Sequence, residues 1–194
     1  MRTPITKAEF ISELLKDDLD SGKKSHLIPH RAIVNNPNLL FEEENNIRLS
    51  LVKDNGAFGM FFEYYPDMSF YKENINQDDF LKLLWCPKGS PEEDGIDIMT
   101  GETRFFKDIL EYLKSNSLNH KPKVTETLKD YFSGILPSED KKKLFLEESG
   151  KNRFTRDGNH RAGAILKTLS NDINHPIFPV TIYVASLNET NNFS

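Results

Sequence analysis

Six consecutive residues, Arg156-Asp157-Gly158-Asn159-His160-Arg161, bring together two guanidiniums, a carboxylate, a glycine, a carboxamide and an imidazole. Behind them Ala162, Ile165, Leu166 and Leu169 recur at helical spacing, and in front of them Leu144, Leu146 and Phe154 suit strands. A strand that reverses into a helix through a glycine aims the first helical N–H groups outward at the positive end of the helix dipole. Such a turn is an anion cradle. Gly158 has no Cβ, so a phosphate can come close to the backbone, and Arg156, Asn159, His160 and Arg161 supply polar donors. Asp157 can cap the helix, bind a metal, orient a hydroxyl or act as a base. The expected ligand is an anion, a nucleotide or another phosphorylated molecule. No ligand set for a metal can be read from the spacing.

The elements that must position this turn are legible in outline. Residues 144–147 and 153–156 read as two strands joined through Ser149-Gly150-Lys151, while Ser138-Glu139-Asp140 leaves a helix over 139–148 as the competing reading. Ala162, Gly163 and Ala164 let the following helix lie close to a sheet or a ligand, and Ile177 to Ala185 is an apolar, β-branched strand. The predicted order is strand, turn, helix, strand. Upstream, Thr6-Lys7-Ala8-Glu9 has capping-box spacing and opens an amphipathic helix over residues 7–20 that ends near Gly22. Residues 27–38 hold two prolines and read as an extended or irregular connection. Ile47, Leu49 and Leu51 alternate ahead of Asp54-Asn55-Gly56 and aromatic-rich Phe58 to Tyr65, which predicts a hairpin. Short helices are expected over 77–85, 102–114 (with Thr100 as cap) and 124–132, and a loop over 88–95 that is a mobile connection or a subdomain boundary.

The chain has 194 residues, 28% of them charged and 37% hydrophobic, a balance that supports one folded domain. We expect a single domain over 1–188, with an N-terminal helix and hairpin part (1–87), a nucleotide-binding-like part (96–188) and a flexible tail (189–194). The net charge of -5 disfavours nonspecific nucleic-acid binding, although nucleic acid stays a candidate partner through local basic clusters. No apolar run is long enough to span a bilayer, and no targeting pattern opens the chain, so a membrane partner is not expected and a cytoplasmic location is. One cysteine, Cys86, rules out an intrachain disulfide and a thiolate-rich metal site.

At Asp157-Gly158-Asn159-His160-Arg161 the chain resembles the ParB and sulfiredoxin superfamily, whose members carry a strand, a turn of the form DG-x-HR or a variant, a helix and a further strand. The likeness covers about residues 144–185, and Ile28-Pro29, Ile33 and Asn36-Pro37 resemble that superfamily's first strand region. It implies an α+β fold, a small mixed sheet with flanking helices, and phosphate binding at the turn. The superfamily includes CTP-binding partition proteins, nucleases, a free serine kinase and sulfiredoxin, so the likeness implies phosphate binding more firmly than any one reaction. Sulfiredoxin chemistry is not implied, because its cysteine position is Asn159. Nor is partition-protein function, because no helix-turn-helix segment follows. The same five residues are similar to the core of a Fic/Doc loop, but the catalytic histidine position holds Asn152 or Arg153, and the strand at 177–185 suits an all-helical core poorly.

Three readings follow. The first, which the resemblance implies, is a phosphotransferase or nuclease-like enzyme with Asp157 and His160 as acid/base candidates, magnesium as the candidate companion of the nucleotide, and a further carboxylate from Glu102, Glu147 or Glu148. The second is a noncatalytic module whose aromatic hairpin at 58–65 stacks bases, and the third is an interaction protein in which the turn is structural.

Overall fold

A computed structural model describes residues 1–20, 24–53, 58, 62, 67–85, 104–115, 135–136 and 143–187. Among them the strands are β1 (Arg2–Ile5), β2 (Met68–Ile75), β3 (Leu84–Trp85), β4 (Arg104–Phe105), β5 (Lys143–Ser149), β6 (Asn152–Asp157) and β7 (Val180–Leu187). The helices are α1 (Lys7–Asp20), a 3-10 turn (Ser25–His30), α2 (Arg31–Asn35), α3 (Glu42–Lys53), α4 (Gln77–Phe80), α5 (Phe106–Ser115) and α6 (Asn159–Asn171). The fold is α+β, with one mixed sheet in the order β1-β2-β7-β5-β6-β3-β4. Its central pair, β5 and β7, is parallel, with Leu144 opposite Ile182 and Leu146 opposite Val184.

Side chains alternate across a strand, so the two faces of this sheet carry different sets. Leu144, Leu146, Ile182 and Val184 pack on one face with Phe106, Ile109 and Leu110 of α5 and Ile165, Leu166 and Leu169 of α6. Phe145, Tyr183 and Ala185 pack on the other with Phe10, Leu14 and Leu15 of α1. Phe10 is the hub of that second core. Its ring centroid lies 5.5 Å from Phe58, 5.1 Å from Phe70 and 5.7 Å from Phe145. Each such aromatic side chain adds about 1.5–3 kcal/mol by leaving water.

Local rules account for the starts of the helices. The capping box forms as expected: Glu9 N–H donates to Thr6 Oγ1 (3.1 Å) and Thr6 N–H donates to Glu9 Oε2 (2.6 Å). Asn76 caps α4 by accepting from Asp79 N–H. That helix is a single turn. Leu84 and Trp85, placed in a helix by spacing, instead pair with β6 in parallel and with β4 antiparallel.

Three other expectations fail. Residues 47–51 are helical within α3, not a strand. Glu42, Glu43 and Glu44 occupy the first turn of α3, where the dipole favours them, and Arg48 reaches back to Glu44 at i,i+4. Residues 27–35, expected as an irregular connection with a resemblance to a first strand, are a 3-10 turn followed by α2, with Pro29 tolerated inside the 3-10 turn. Residues 104 and 105, placed in a helix, form β4, and the helix starts at Phe106. The expectations that involve Gly22, Asp54-Asn55-Gly56, Cys86, the 88–95 loop, Thr100, the 124–132 helix and the 189–194 tail lie outside the described residues.

Candidate functional site

The C-terminal order is as the spacing predicts: hairpin, turn, helix, strand. β5 and β6 pair antiparallel, with Ser149 opposite Asn152 and Gly150 at φ +58° in the turn, which excludes the competing helix over 143–148. The register shifts between Phe145 and Leu146. Phe145 faces Asp157 and Leu146 faces Thr155, so Arg156 is the extra residue of a bulge. Its guanidinium is held by Glu147, with Nε 2.5 Å from Oε2.

Asp157 closes β6, and its Oδ1 accepts from the Gly158 N–H at 2.6 Å. The carboxylate therefore stands at the positive end of α6, where the dipole favours a negative charge. Gly158 is the N-cap at φ +90° and ψ +16°, and no side chain caps the helix. A Cβ built on Gly158 would lie 2.8 Å from Leu144 Cδ2 and 3.0 Å from both the Lys143 carbonyl and Arg161 Nη2. The room left by the missing Cβ is thus filled by the protein's own β5 and by Arg161.

Asn159, His160 and Arg161 open α6 in three directions, because consecutive helical residues project about 100° apart. Asn159 is buried, His160 is exposed, and Arg161 is held toward α1. Their side chains do not converge on one point; what they share is the first helical turn. Arg161 Nη2 donates to Asp17 Oδ2 at 2.7 Å, and Nη1 donates to Asp17 Oδ1, a bidentate pair across 144 positions of sequence. The two side chains are 16% and 14% exposed.

The carboxylates separate by position. Asp17 lies at the turn, Glu147 holds Arg156 beside it, and Glu148 is taken up elsewhere by Arg2, Arg153 and Ser186. Glu102 lies outside the described residues. Asp17 escaped the sequence reading because nothing in the acidic run of α1 links it to a motif so far along the chain. A second contact joins the same helix to the same region. Glu13, four residues before Asp17, accepts from Lys143 Nζ (2.8 Å) and from the Tyr183 hydroxyl (3.1 Å). Burial pushes the Glu13 carboxyl up, but Lys143 and Lys16 outweigh it and hold it below its ordinary value. Burial and the Glu13 charge push the Tyr183 hydroxyl up, so Tyr183 remains a neutral donor.

The aromatic residues proposed to stack bases do not present a platform where they are described. Phe58 is 0% and Phe62 5% exposed, both against Phe10. Among the described residues no group of three or more His, Cys, Asp and Glu side chains can hold a metal, and no helix is long and apolar enough to cross a membrane. The turn stands between a strand and a helix of a mixed sheet, which differs from the all-helical setting that the Fic/Doc likeness implies. No family model, curated protein or solved structure matches this chain.

Proposed function

We propose that the chain binds the phosphate of a nucleotide at the first turn of α6, and that this turn is a ParB and sulfiredoxin-like site. The observation that carries the reading is the Asp157-Gly158 turn. It leads β6 directly into the N-terminus of a helix of 13 residues through a left-handed glycine, with no side-chain cap and with His160 exposed at that end. Backbone N–H groups and the helix dipole are the recognising elements, and His160 is the side chain that reaches the ligand. Arg161 acts as a positioning residue through Asp17, and Arg156 does so through Glu147. In this reading Asp157 and His160 serve as the acid/base pair of phosphoryl transfer or phosphodiester cleavage, with magnesium supplied alongside the nucleotide.

The test is thermal unfolding of the wild type and of His160→Ala against nucleoside mono-, di- and triphosphates, with and without magnesium. A ligand that binds only the folded chain at a hundred times its Kd adds about 2.7 kcal/mol, which raises Tm by several degrees. The expected result is a rise with one nucleotide that is smaller in His160→Ala, each protein measured against its own Tm without ligand. No rise with any nucleotide would overturn the reading. A rise without turnover would make the turn a sensor.

A further inference from the structure

We propose that the cavity at the outer edge of the sheet, where β1 passes into α1, binds a small carboxylate with an apolar body, and that the Lys7 ammonium is its anchor. The cavity measures about 450 Å3, inside the span of about 300–1,000 Å3 that small-molecule sites occupy. Among the described residues Pro4, Ile5, Lys7, Met68, Phe70 and Tyr71 line it. Its place follows from the register of the strands. β1 pairs with β2 as far as Ile5 opposite Phe70, where Thr6 caps α1 and turns the chain away, whereas β2 extends back to Met68 along β7. β7 and β5 separate this edge from β6 and the Asp157-Gly158 turn, so the inference is independent of the phosphate reading.

Lys7 is the only charged side chain in the described lining. Its Nζ lies 5.2 Å from the centroid of the Phe62 ring, and no carboxylate among the described residues forms an ion pair with it. Burial alone holds the ammonium below its ordinary value. A cation drawn partly out of water without a counter-charge is costly, and an anion that reaches it recovers that cost. Glu9 does not supply the charge, because its Oε2 accepts the Thr6 N–H in the capping box. The same box closes the start of α1, with Thr6 Oγ1 accepting the Glu9 N–H, so the ammonium and not the helix end is the recognising group.

The remaining lining selects the body of the ligand. Met68 adapts its shape to an apolar chain, while Phe70 and Tyr71 form aromatic walls, the latter with the Arg2 guanidinium 3.7 Å from its ring centroid. A single ammonium among apolar groups suits one carboxylate; a phosphate, with more charge and more acceptor oxygens, calls for several donors.

The probe is decanoate, kept below its micelle threshold, with decanol as the uncharged molecule of the same length. Methionine-methyl NMR of the whole chain reads the Met68 signal, assigned through Met68→Leu. Decanoate should shift that signal to saturation, with an affinity about tenfold higher than that of decanol, as expected for a charged hydrogen bond. Lys7→Gln should lower decanoate binding to the level of decanol and leave decanol unchanged. No saturable shift with decanoate, or equal binding of acid and alcohol by the wild type, would overturn the site, and neither readout needs a variant at Lys7. Undiminished decanoate binding by a folded Lys7→Gln would overturn Lys7 as the anchor.

Discussion

Gly158 shows how one residue can satisfy two demands at once. Its φ of +90° lies in the left-handed region, and its α-carbon sits so close to β5 that a methyl group would meet both a leucine side chain and a backbone carbonyl. The flexible Leu144 end could give way; the Lys143 carbonyl, fixed in the β5 ladder, could not. Gly158→Ala should therefore lose about 1–3 kcal/mol from backbone strain alone, with more from the contact, read as a lower urea midpoint at unchanged m. A loss under about 0.5 kcal/mol would mean that the turn can relax away from β5. The neighbouring residues differ in their surroundings: His160 is exposed, whereas Arg161 is held by Asp17.

At the scale of elements, α3 depends on a single buried cation. Arg48 is fully buried, and it donates to the carbonyls of Ile33 and Asn38 (both 3.1 Å), to Glu44 Oε2 and to Asn45 Oδ1. It thereby fastens the end of α2 and the loop after it to α3. Replacing it with an apolar side chain removes one donor from each of these four acceptors, leaving Glu44 Oε2 with the Asn38 N–H and the Asn38 carbonyl with the Phe41 N–H. Arg48→Met should cost about 3 kcal/mol or more, seen as a drop in Tm of several degrees or more. A change within about 0.5 kcal/mol would show that water takes over these bonds.

Across the whole molecule, charged side chains bind distant parts of the chain to one another. Arg2 of β1 and Arg153 of β6 both grip Glu148 of β5, and Arg153 also grips Glu73 of β2 at 2.8 Å. Burial pushes the Glu148 carboxyl up, yet hydrogen bonds from Arg2, Arg153 and Ser186 and the Arg153 charge hold it below its ordinary value of 4.5. Glu13 is shifted in the same direction by its lysines. A carboxylate depressed in the folded state binds protons more readily when unfolded, so its contribution is complete above pH 4.5 and fades as pH falls through the folded value. Folding stability should therefore drop below about pH 4.5, and Glu148→Gln should flatten that acid limb while lowering stability at neutral pH. An acid limb of the same slope in the variant would show that Glu148 is not among the groups responsible.

What could be read from the sequence alone was the part governed by local rules. Thr6 and Glu9 declare a capping box, Gly150 a hairpin turn, and Asp157-Gly158 a strand passing into a helix, because each depends on backbone preferences within four residues. The mixed sheet with flanking helices agrees with the fold that the resemblance at Asp157-Gly158-Asn159-His160-Arg161 implied. Periodicity misled at Ile47, Leu49 and Leu51, where alternation suits a strand but the acidic first turn and the buried Arg48 favour α3. β1 and β2 were missed, since Arg2–Ile5 and Met68–Ile75 gain their ladder only from each other and from β7. Tertiary structure alone decided which carboxylate reaches the turn. Coulomb attraction and hydrogen bonding act on distance in space, and only the packing of α1 against β5 and β7 brings Asp17 to Arg161 across 144 positions.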